Sequence, residues 1–448
     1  VTARVVTLGC RLNLAESETI RALTAGAVGD TRATVVVNSC AVTAEAMRQS
    51  RRAVRKLRRD HPDARLLVTG CAATIEREAF AAMAEVDGVV ANDAKLDPAS
   101  WVDPGETAAA HVPLPRQGGD RVQDGTDGNL LRSPPSGRWP EVHPEPVAGR
   151  GRAEHTHTRA FVPVQTGCDH ACTFCIIPQG RGASLSTPVA DVLHAIEAHG
   201  AAGTREVVLT GVDVTGWGAD LPGSPRLGDL VAAILVAFPA LPRLRLSSLD
   251  GVEIDPLLVE LITGEPRVMP HLHLSLQSGD DMVLKRMKRR HTRAQAVALV
   301  ERLRAARPEI AIGADLIAGF PTESDAMHDA NLSIVAACGV VHGHVFPYSP
   351  RPGTPAARMP QVPPATVRAR AAELRAAVAH ERARWLATLI GQPRTVLAER
   401  DGTGHSPEFA PYRLPGDTKP GSLVTLNPTR MADGMLIADE LHSKDQGA

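Results

Sequence analysis

Gly167-Cys168-Asp169-His170-Ala171-Cys172-Thr173-Phe174-Cys175 decides how this chain is read. It sets three cysteines at CxxxCxxC spacing directly after an apolar run, Phe161-Val-Pro-Val-Gln-Thr166, that reads as a strand. Three thiolates on one tight loop can hold three corners of a cubane iron–sulfur cluster, leaving the fourth iron open to another ligand. Two other readings compete. A structural zinc usually takes four ligands, and His170 could be the fourth, although so short a loop closes around it awkwardly. A disulfide is the other.

Downstream of this loop, strand-like and helix-like runs alternate. The strand-like runs lie at 161–165, 206–210, 243–246, 271–276, 310–317 and 344–348. Helical patterns at 188–202, 227–238, 255–263, 292–306 and 322–338 fall between them. Six such units predict an α/β architecture, a partial (β/α)6 barrel whose chemistry gathers at the strands' C-terminal ends. The polar signals sit there: the three cysteines after the first strand, Gly211-Val-Asp213 after the second, Ser247-Ser248 after the third and Gln277-Ser-Gly279 after the fourth. Cys338, ending an amphipathic helix, reads as a core residue.

Upstream, residues 1–101 show the same alternation on a smaller scale, which predicts a parallel sheet with right-handed crossovers. Cys10, Cys40 and Cys71 each fall just past a predicted strand, one βα repeat apart. Strand ends of a parallel sheet share one edge, so three distant thiols are brought to one place. Single buried cysteines are common in cores; three at equivalent strand ends point to a second metal or cluster site. Residues 102–158 lose periodicity and read as a linker or long surface insertion, with His111, His143, His155 and His157 as solvated loop histidines. Residues 364–390 read as a long helix. Residues 391–448 turn to short strands with turn residues, a small C-terminal β-barrel.

Length and composition narrow the class. The chain has 448 residues, enough for about three domains. Its 49 basic and 50 acidic residues nearly cancel, so any nucleic-acid contact must come from local patches rather than a global basic field. The start carries no apolar stretch of signal-peptide length, and no run is long enough to span a membrane. Seven cysteines without an export signal argue for a reducing compartment and for ligands rather than disulfides. The expected location is cytoplasmic.

Over nearly its whole length the chain resembles the methylthiotransferase branch of the radical S-adenosylmethionine (SAM) enzymes. The resemblance is carried by Cys168-x-x-x-Cys172-x-Phe174-Cys175, by Thr7-Leu-Gly-Cys-Arg-Leu-Asn13 and Asn38-Ser-Cys-Ala-Val-Thr43, and by Arg245-Leu-Ser-Ser-Leu249. His271-Leu-His-Leu-Ser-Leu-Gln277, Met287-Lys-Arg-Arg290 and His344-Val-Phe-Pro-Tyr-Ser-Pro-Arg-Pro-Gly-Thr354 complete it. Within the branch the wording is most similar to the enzymes that act on threonylcarbamoyladenosine in tRNA. The resemblance implies an N-terminal methylthiotransferase domain (1–101), a linker (102–158), a radical SAM barrel (159–390) and a TRAM-like β domain (391–448).

It further implies that Cys168, Cys172 and Cys175 hold a 4Fe–4S cluster that binds SAM and cleaves it to a 5′-deoxyadenosyl radical. Cys10, Cys40 and Cys71 would hold a second 4Fe–4S cluster carrying the sulfur to be transferred. The radical would take hydrogen from C2 of the modified adenosine at position 37 of the tRNA anticodon loop. Gly211, Asp213, Ser247 and Gln277 stand where the family contacts SAM. A reductant protein such as flavodoxin or ferredoxin, and a sulfur donor, are the implied partners. Two basic runs could touch RNA phosphates: Arg48 to Arg59, and Lys285 to Arg293. The rival readings are the same chemistry on isopentenyladenosine of tRNA or on an aspartate of a ribosomal protein and, from another class, a non-catalytic metal-binding scaffold.

Overall fold

The computed structural model describes residues 3–25, 33–101 and 158–438. The insertion at 102–158, with its four histidines, lies outside them except for residue 158. Strands β1 (Arg4–Thr7), β2 (Thr34–Ser39), β3 (Arg65–Gly70) and β4 (Gly88–Val89) form one parallel sheet in chain order. The unbroken run Val35-Val36-Val37 suits a central parallel strand, buried on both faces. Thr7 pairs with Asn38, and Asn38 with Thr69, so all three leading strands end level.

Cys10, Cys40 and Cys71 follow at that common edge. Helix α1 (Arg11–Ala25) begins directly behind Cys10. Helix α2 (Ala44–Asp60) is capped by the Thr43 hydroxyl, which accepts from the Ala46 amide at 3.0 Å. The helix expected after β3 is two short ones, Cys71–Ile75 and Arg77–Ala81, so Cys71 itself opens a helix.

The chain continues through β5 (Ala160–Pro163), a ribbon of β6 (Gln165–Thr166) with β7 (Leu185–Ser186), then β8 (Glu206–Thr210), β9 (Arg243–Leu246), β10 (Ser248–Leu249), β11 (His271–Gln277), β12 (Ala311–Ala318) and β13 (Val340–Pro347). One parallel sheet joins β5, β8 and β9, and a second joins β10 to β13. Strands β9 and β10 are a single strand broken at Ser247, so the barrel wall has six strands. Leu272, Leu274 and Leu276 of β11 and Ile312, Ala314 and Leu316 of β12 face the helices in the main core. Alternation therefore turns His271, His273, Gly313 and Asp315 into the lumen. Strand β13 starts at Val340 rather than at 344. Gly339, at φ +50°, ends the preceding helix, and Gly343 lies under the long helix Pro364–Leu389, where a Cβ would come within 2.6 Å of Val378.

Strands β14 (Arg394–Ala398), β15 (Thr403–His405), β16 (Pro411–Arg413), β17 (Leu423–Leu426), β18 (Pro428–Ala432) and β19 (Met435–Ala438) form a curled six-stranded half-barrel around Tyr412 and Leu436. It docks beneath the barrel on two buried arginines. Arg243 donates to the His405 carbonyl at 3.1 Å and to that of Thr395, and Arg245 donates to the Pro407 carbonyl at 3.0 Å. Both guanidiniums pair with buried Glu206, at 3.4 and 2.8 Å. Among the described residues no helix is long and apolar enough to cross a membrane.

Candidate active site

The N-terminal cysteines converge through two glycines that no other residue replaces. Gly9 sits at φ +97°, and a Cβ there would lie 2.6 Å from Cys40 Sγ. Gly70 sits at φ +91°, and its Cβ would fall 2.4 Å from the Ser39 carbonyl oxygen. Side-chain amides lace the three turns together. Asn13 Nδ2 donates to the Leu8 and Ser39 carbonyls at 2.8 and 3.0 Å, and Asn38 Nδ2 donates to the Asn13 carbonyl at 2.9 Å. The Ser39 hydroxyl donates to the Thr69 carbonyl at 2.5 Å and accepts from the Ala73 amide at 3.0 Å. Burial pushes the Cys40 thiol up to about 11, with Cys10 and Cys71 adding to the effect. Burial also raises Cys71.

The second set rides on the loop closed by the β6–β7 ribbon. Gly167, at φ +70°, lets this loop turn against the Ala183 carbonyl, 1.7 Å from where a Cβ would sit. Buried Gln165 straps the loop to the barrel: Nε2 donates to the Gly167 carbonyl at 2.9 Å, and Oε1 accepts from the amides of Val212 and Asp213 at 3.0 and 2.8 Å. Thr173 ties the loop's far end to Met287 and Arg286 by backbone and hydroxyl bonds of 3.1 and 2.8 Å. Phe174 packs edge-on against Phe320, 6.4 Å between ring centres. Burial pushes Cys175 up to about 11, with Cys172 and Cys168 adding. Arg289 Nη1 lies 3.7 Å from Cys172 Sγ while its Nη2 holds Asp250 at 2.9 Å.

One short helix joins the two sets. Ile177–Arg181, immediately after Cys175, packs on Cys71–Ile75 so closely that a Cβ on Gly180 would lie 3.3 Å from Cys71 Cβ. At its end Arg181, 1% exposed, donates to Glu16 at 2.8 Å, to Asn13 Oδ1 at 2.6 Å and to Thr166 at 3.2 Å. Lys95 Nζ closes the group on Glu16 at 2.5 Å. Burial alone would raise the Glu16 carboxyl, but Lys95 and Arg181 hold it below its usual range. The sequence carries no local sign of this ion group, because its members come from three distant segments.

A profile of the radical SAM superfamily matches residues 162–332, and that of Uncharacterized protein family UPF0004 matches residues 2–91. The threonylcarbamoyladenosine tRNA methylthiotransferase MtaB of Rickettsia prowazekii is 40% identical over 411 residues, 92% of this chain and 90% of that protein. The chain belongs to the radical SAM methylthiotransferase family. The tRNA-2-methylthio-N(6)-dimethylallyladenosine synthases of Novosphingobium aromaticivorans and of Cereibacter sphaeroides (strain ATCC 17025) are 33% and 34% identical. These cover 95% and 98% of this chain and 94% and 98% of their own. Among solved structures, the radical SAM methyltransferase TsrM from Kitasatospora setae has a TM-score of 0.47 and 17% identity, covering 77% of this chain and 67% of that one. So distant a likeness adds nothing to the assignment.

Methylthiotransferases of this family are enzymes that use SAM and two 4Fe–4S clusters. The thiols here suit such groups. All seven cysteines are free, and a buried thiol near 11 is a poor thiolate until a metal's charge offsets its deprotonation. Cys168, His170 and Asp213 also place donor atoms within 4.8 Å of one another, a mixed set that competes for Cys168. His170 is held within that set and by Glu253: it is raised to about 10 by its hydrogen bond with Cys168 and then by Glu253 and Asp213, which it meets at 3.6 and 3.2 Å.

Of the residues expected near SAM, Ser247 fits a ligand best. Its hydroxyl is buried at the break between β9 and β10 and has no hydrogen-bond partner among the described residues. Gln277 takes φ +66° at the irregular end of β11, a conformation a non-glycine residue adopts only under constraint. Asp213 faces His170 rather than open space, and burial raises its carboxyl. Gly211 has no room for a side chain. A Cβ there would meet the Gln165 carbonyl at 2.8 Å, so the protein's own strap fills the space.

The second basic run is mostly structural. Arg289 and Arg290 hold Asp250, and Arg293 donates to the Gly279 and Ala330 carbonyls at 3.2 and 2.8 Å. Lys285 and Lys288 stay exposed. On α2, Arg48 and Arg52 pair with Glu45, Arg51 with Glu76, Arg55 with Glu85 and Arg58 with Asp87, while Lys56 and Arg59 are exposed beside them. Cys338 lies fully buried in the main core.

Proposed function

We propose that this enzyme converts N6-threonylcarbamoyladenosine at position 37 of tRNA to its 2-methylthio derivative. The observation that carries the reading is the 40% identity, across 92% of this chain and 90% of the other, to a protein named for that nucleoside. The relatives named for dimethylallyladenosine stand at 33% and 34%, and they supply the second reading.

In this reading Cys168, Cys172 and Cys175 hold the cluster that binds SAM, and Cys10, Cys40 and Cys71 hold the second one. When bound, these groups supply the one-electron cleavage of SAM and the sulfur that is transferred. The chain's own part is positioning. Gly180 and the Arg181–Glu16–Lys95 group fix the two cysteine sets against each other. The Ser247 hydroxyl and the Gln277 side chain are offered to SAM, and Phe174, Phe320 and Tyr348 wall the barrel cluster off from water. Residues 1–101, 159–390 and 391–448 act as sulfur-bearing, SAM-binding and RNA-facing units, joined by 102–158. A flavodoxin- or ferredoxin-like reductant and a separate sulfur donor serve it in the cytoplasm, where its tRNA substrate is found.

The test is anaerobic turnover of the iron-loaded enzyme with SAM, reductant and anticodon stem-loops carrying either nucleoside. Methylthiolation of the threonylcarbamoyl stem-loop is expected. Product from the dimethylallyl stem-loop alone would replace this reading with the second.

A further inference from the structure

The turn that carries Cys10 delivers one more side chain to the barrel. Arg11 opens α1, and its guanidinium stands 5.8 Å over the Phe409 ring at the lumen floor. Leu14 and Ala15 of the same helix pack on Phe161 and Val208, the lumen faces of β5 and β8, which fixes the direction in which Arg11 points. It lies within electrostatic reach of Glu206 and Asp315. Among the described residues it has neither a hydrogen-bond nor an ion-pair partner.

The other charges of the floor are matched. Arg159 pairs with Glu399 at 2.7 Å, and Arg243 and Arg245 share Glu206. Asp315 Oδ1 accepts from His273 Nε2 at 3.0 Å and from His344 Nδ1 at 3.1 Å. Of these four guanidiniums, Arg11 alone has no carboxylate in direct contact. A largely buried cation without a counter-ion is costly and invites an anionic ligand. His344, its ring centre 4.6 Å from that of His273 and tilted to it by 35°, has a side chain 61% exposed. The imidazolium form of His344 carries a second N–H at Nε2, and in that form it donates to an anion while Nδ1 stays on Asp315.

We propose that Arg11, with the free edge of His344, is an anion subsite for the carboxylate of the threonylcarbamoyl group. It selects the nucleoside bearing that group over one whose N6 substituent is a hydrocarbon. The inference rests on the substrate reading above and deepens it. A threonyl carboxylate is ionised at neutral pH, and a guanidinium fork binds it in two parallel hydrogen bonds. C2 and N6 flank N1 on one edge of adenine, so a grip on the N6 substituent also sets where C2 lies. Arg11 makes that grip one residue from Cys10.

The experiment uses iron-loaded full-length enzyme and two stem-loops, one with the free threonyl carboxylate and one with its methyl ester. Affinity is measured by fluorescence titration for the wild type, Arg11→Gln, Arg11→Lys and His344→Gln. The wild type should prefer the acid by about 10- to 100-fold. Arg11→Gln should lose that preference by weakening on the acid alone, and Arg11→Lys should recover part of it. Iron and sulfide content reports whether the turn at Cys10 survives substitution. If it does not, His344→Gln, remote from the cysteines, decides the matter with a preference reduced several-fold. Equal wild-type affinity for acid and ester, or a full preference retained in an iron-replete Arg11→Gln or in His344→Gln, overturns the subsite while the substrate reading stands. A wild type that methylthiolates only the dimethylallyl stem-loop overturns both.

Discussion

Arg181 sits without solvent between Glu16, Asn13 and Thr166, and Glu16 is shared with Lys95. Taking one charge from such a group strands the others in a low-dielectric interior. Arg181→Met is expected to destabilise the protein by about 3–5 kcal/mol, seen as a lowered thermal midpoint; an unchanged midpoint would mean that the group contributes little. A second buried ion group sets an acid limit. Burial alone would raise Glu206, but the Arg245 charge and hydrogen bond, with Arg159 and Arg243, hold it down to about 2. Its folded pKa lies below its unfolded one, so its stabilisation is complete above about pH 4.5. It drains away as pH falls towards about 2. Denaturant midpoints measured across that window should fall for the wild type, and Glu206→Gln should flatten the limb. At this scale the gathering of Cys10, Cys40 and Cys71 was legible because equivalent strand ends share one edge of a parallel sheet. Gln165 and Arg181 were not: their roles depend on amides and carboxylates far away in the chain. Gly211 was read only as a candidate SAM contact, and the reason it must be glycine emerges when Gln165 is seen beside it.

At the scale of elements, Ile177–Arg181 matters most, because it touches Cys71 on one side and follows Cys175 on the other. Gly180→Leu would press on Cys71 and Ile75, whose atoms lie only 3.3 and 3.2 Å from an added Cβ. Overpacking of this kind costs about 1–3 kcal/mol. The variant should cleave more SAM for each methylthio product formed, read as the ratio of 5′-deoxyadenosine to modified nucleoside. An unaltered ratio would show that the spacing of the two sets is not fixed by this contact. The βα alternation was legible because buried parallel strands are short apolar runs separated by helical periods. The short helix was not, since five residues carry no period. In the run Lys285 to Arg293 the sequence could not tell structural charges from outward ones: Arg289, Arg290 and Arg293 are held by Asp250 and backbone carbonyls, while Lys285 and Lys288 stay exposed.

At the scale of the molecule, three units meet at Phe409. Arg11 reaches its ring from the first sheet and Arg159 and Arg245 from the barrel, at 5.8, 5.2 and 4.8 Å, while the residue itself takes φ +71° in the C-terminal half-barrel. Such convergence explains why the half-barrel was legible only as a set of short strands; the pairs that dock it, Arg243 and Arg245 with carbonyls of the 395–407 region, are invisible to local pattern. The two cysteine sets should load independently even so. Anaerobic reconstitution should give about eight irons per chain, and Cys40→Ala and Cys168→Ala about four each. The loaded protein should unfold at a higher temperature than the apoprotein, because the ligands bind only the folded state. Loss of all iron from either variant would contradict two separate sites.

Mass spectrometry of tRNA nucleosides from a strain lacking this gene, with and without complementation, reads the substrate assignment in the cell. The 2-methylthio derivative of threonylcarbamoyladenosine should vanish, return with the wild-type chain, and stay absent with Cys168→Ala or Cys40→Ala. Persistence of that nucleoside in the deleted strain, with loss of the dimethylallyl derivative instead, would contradict the substrate assignment.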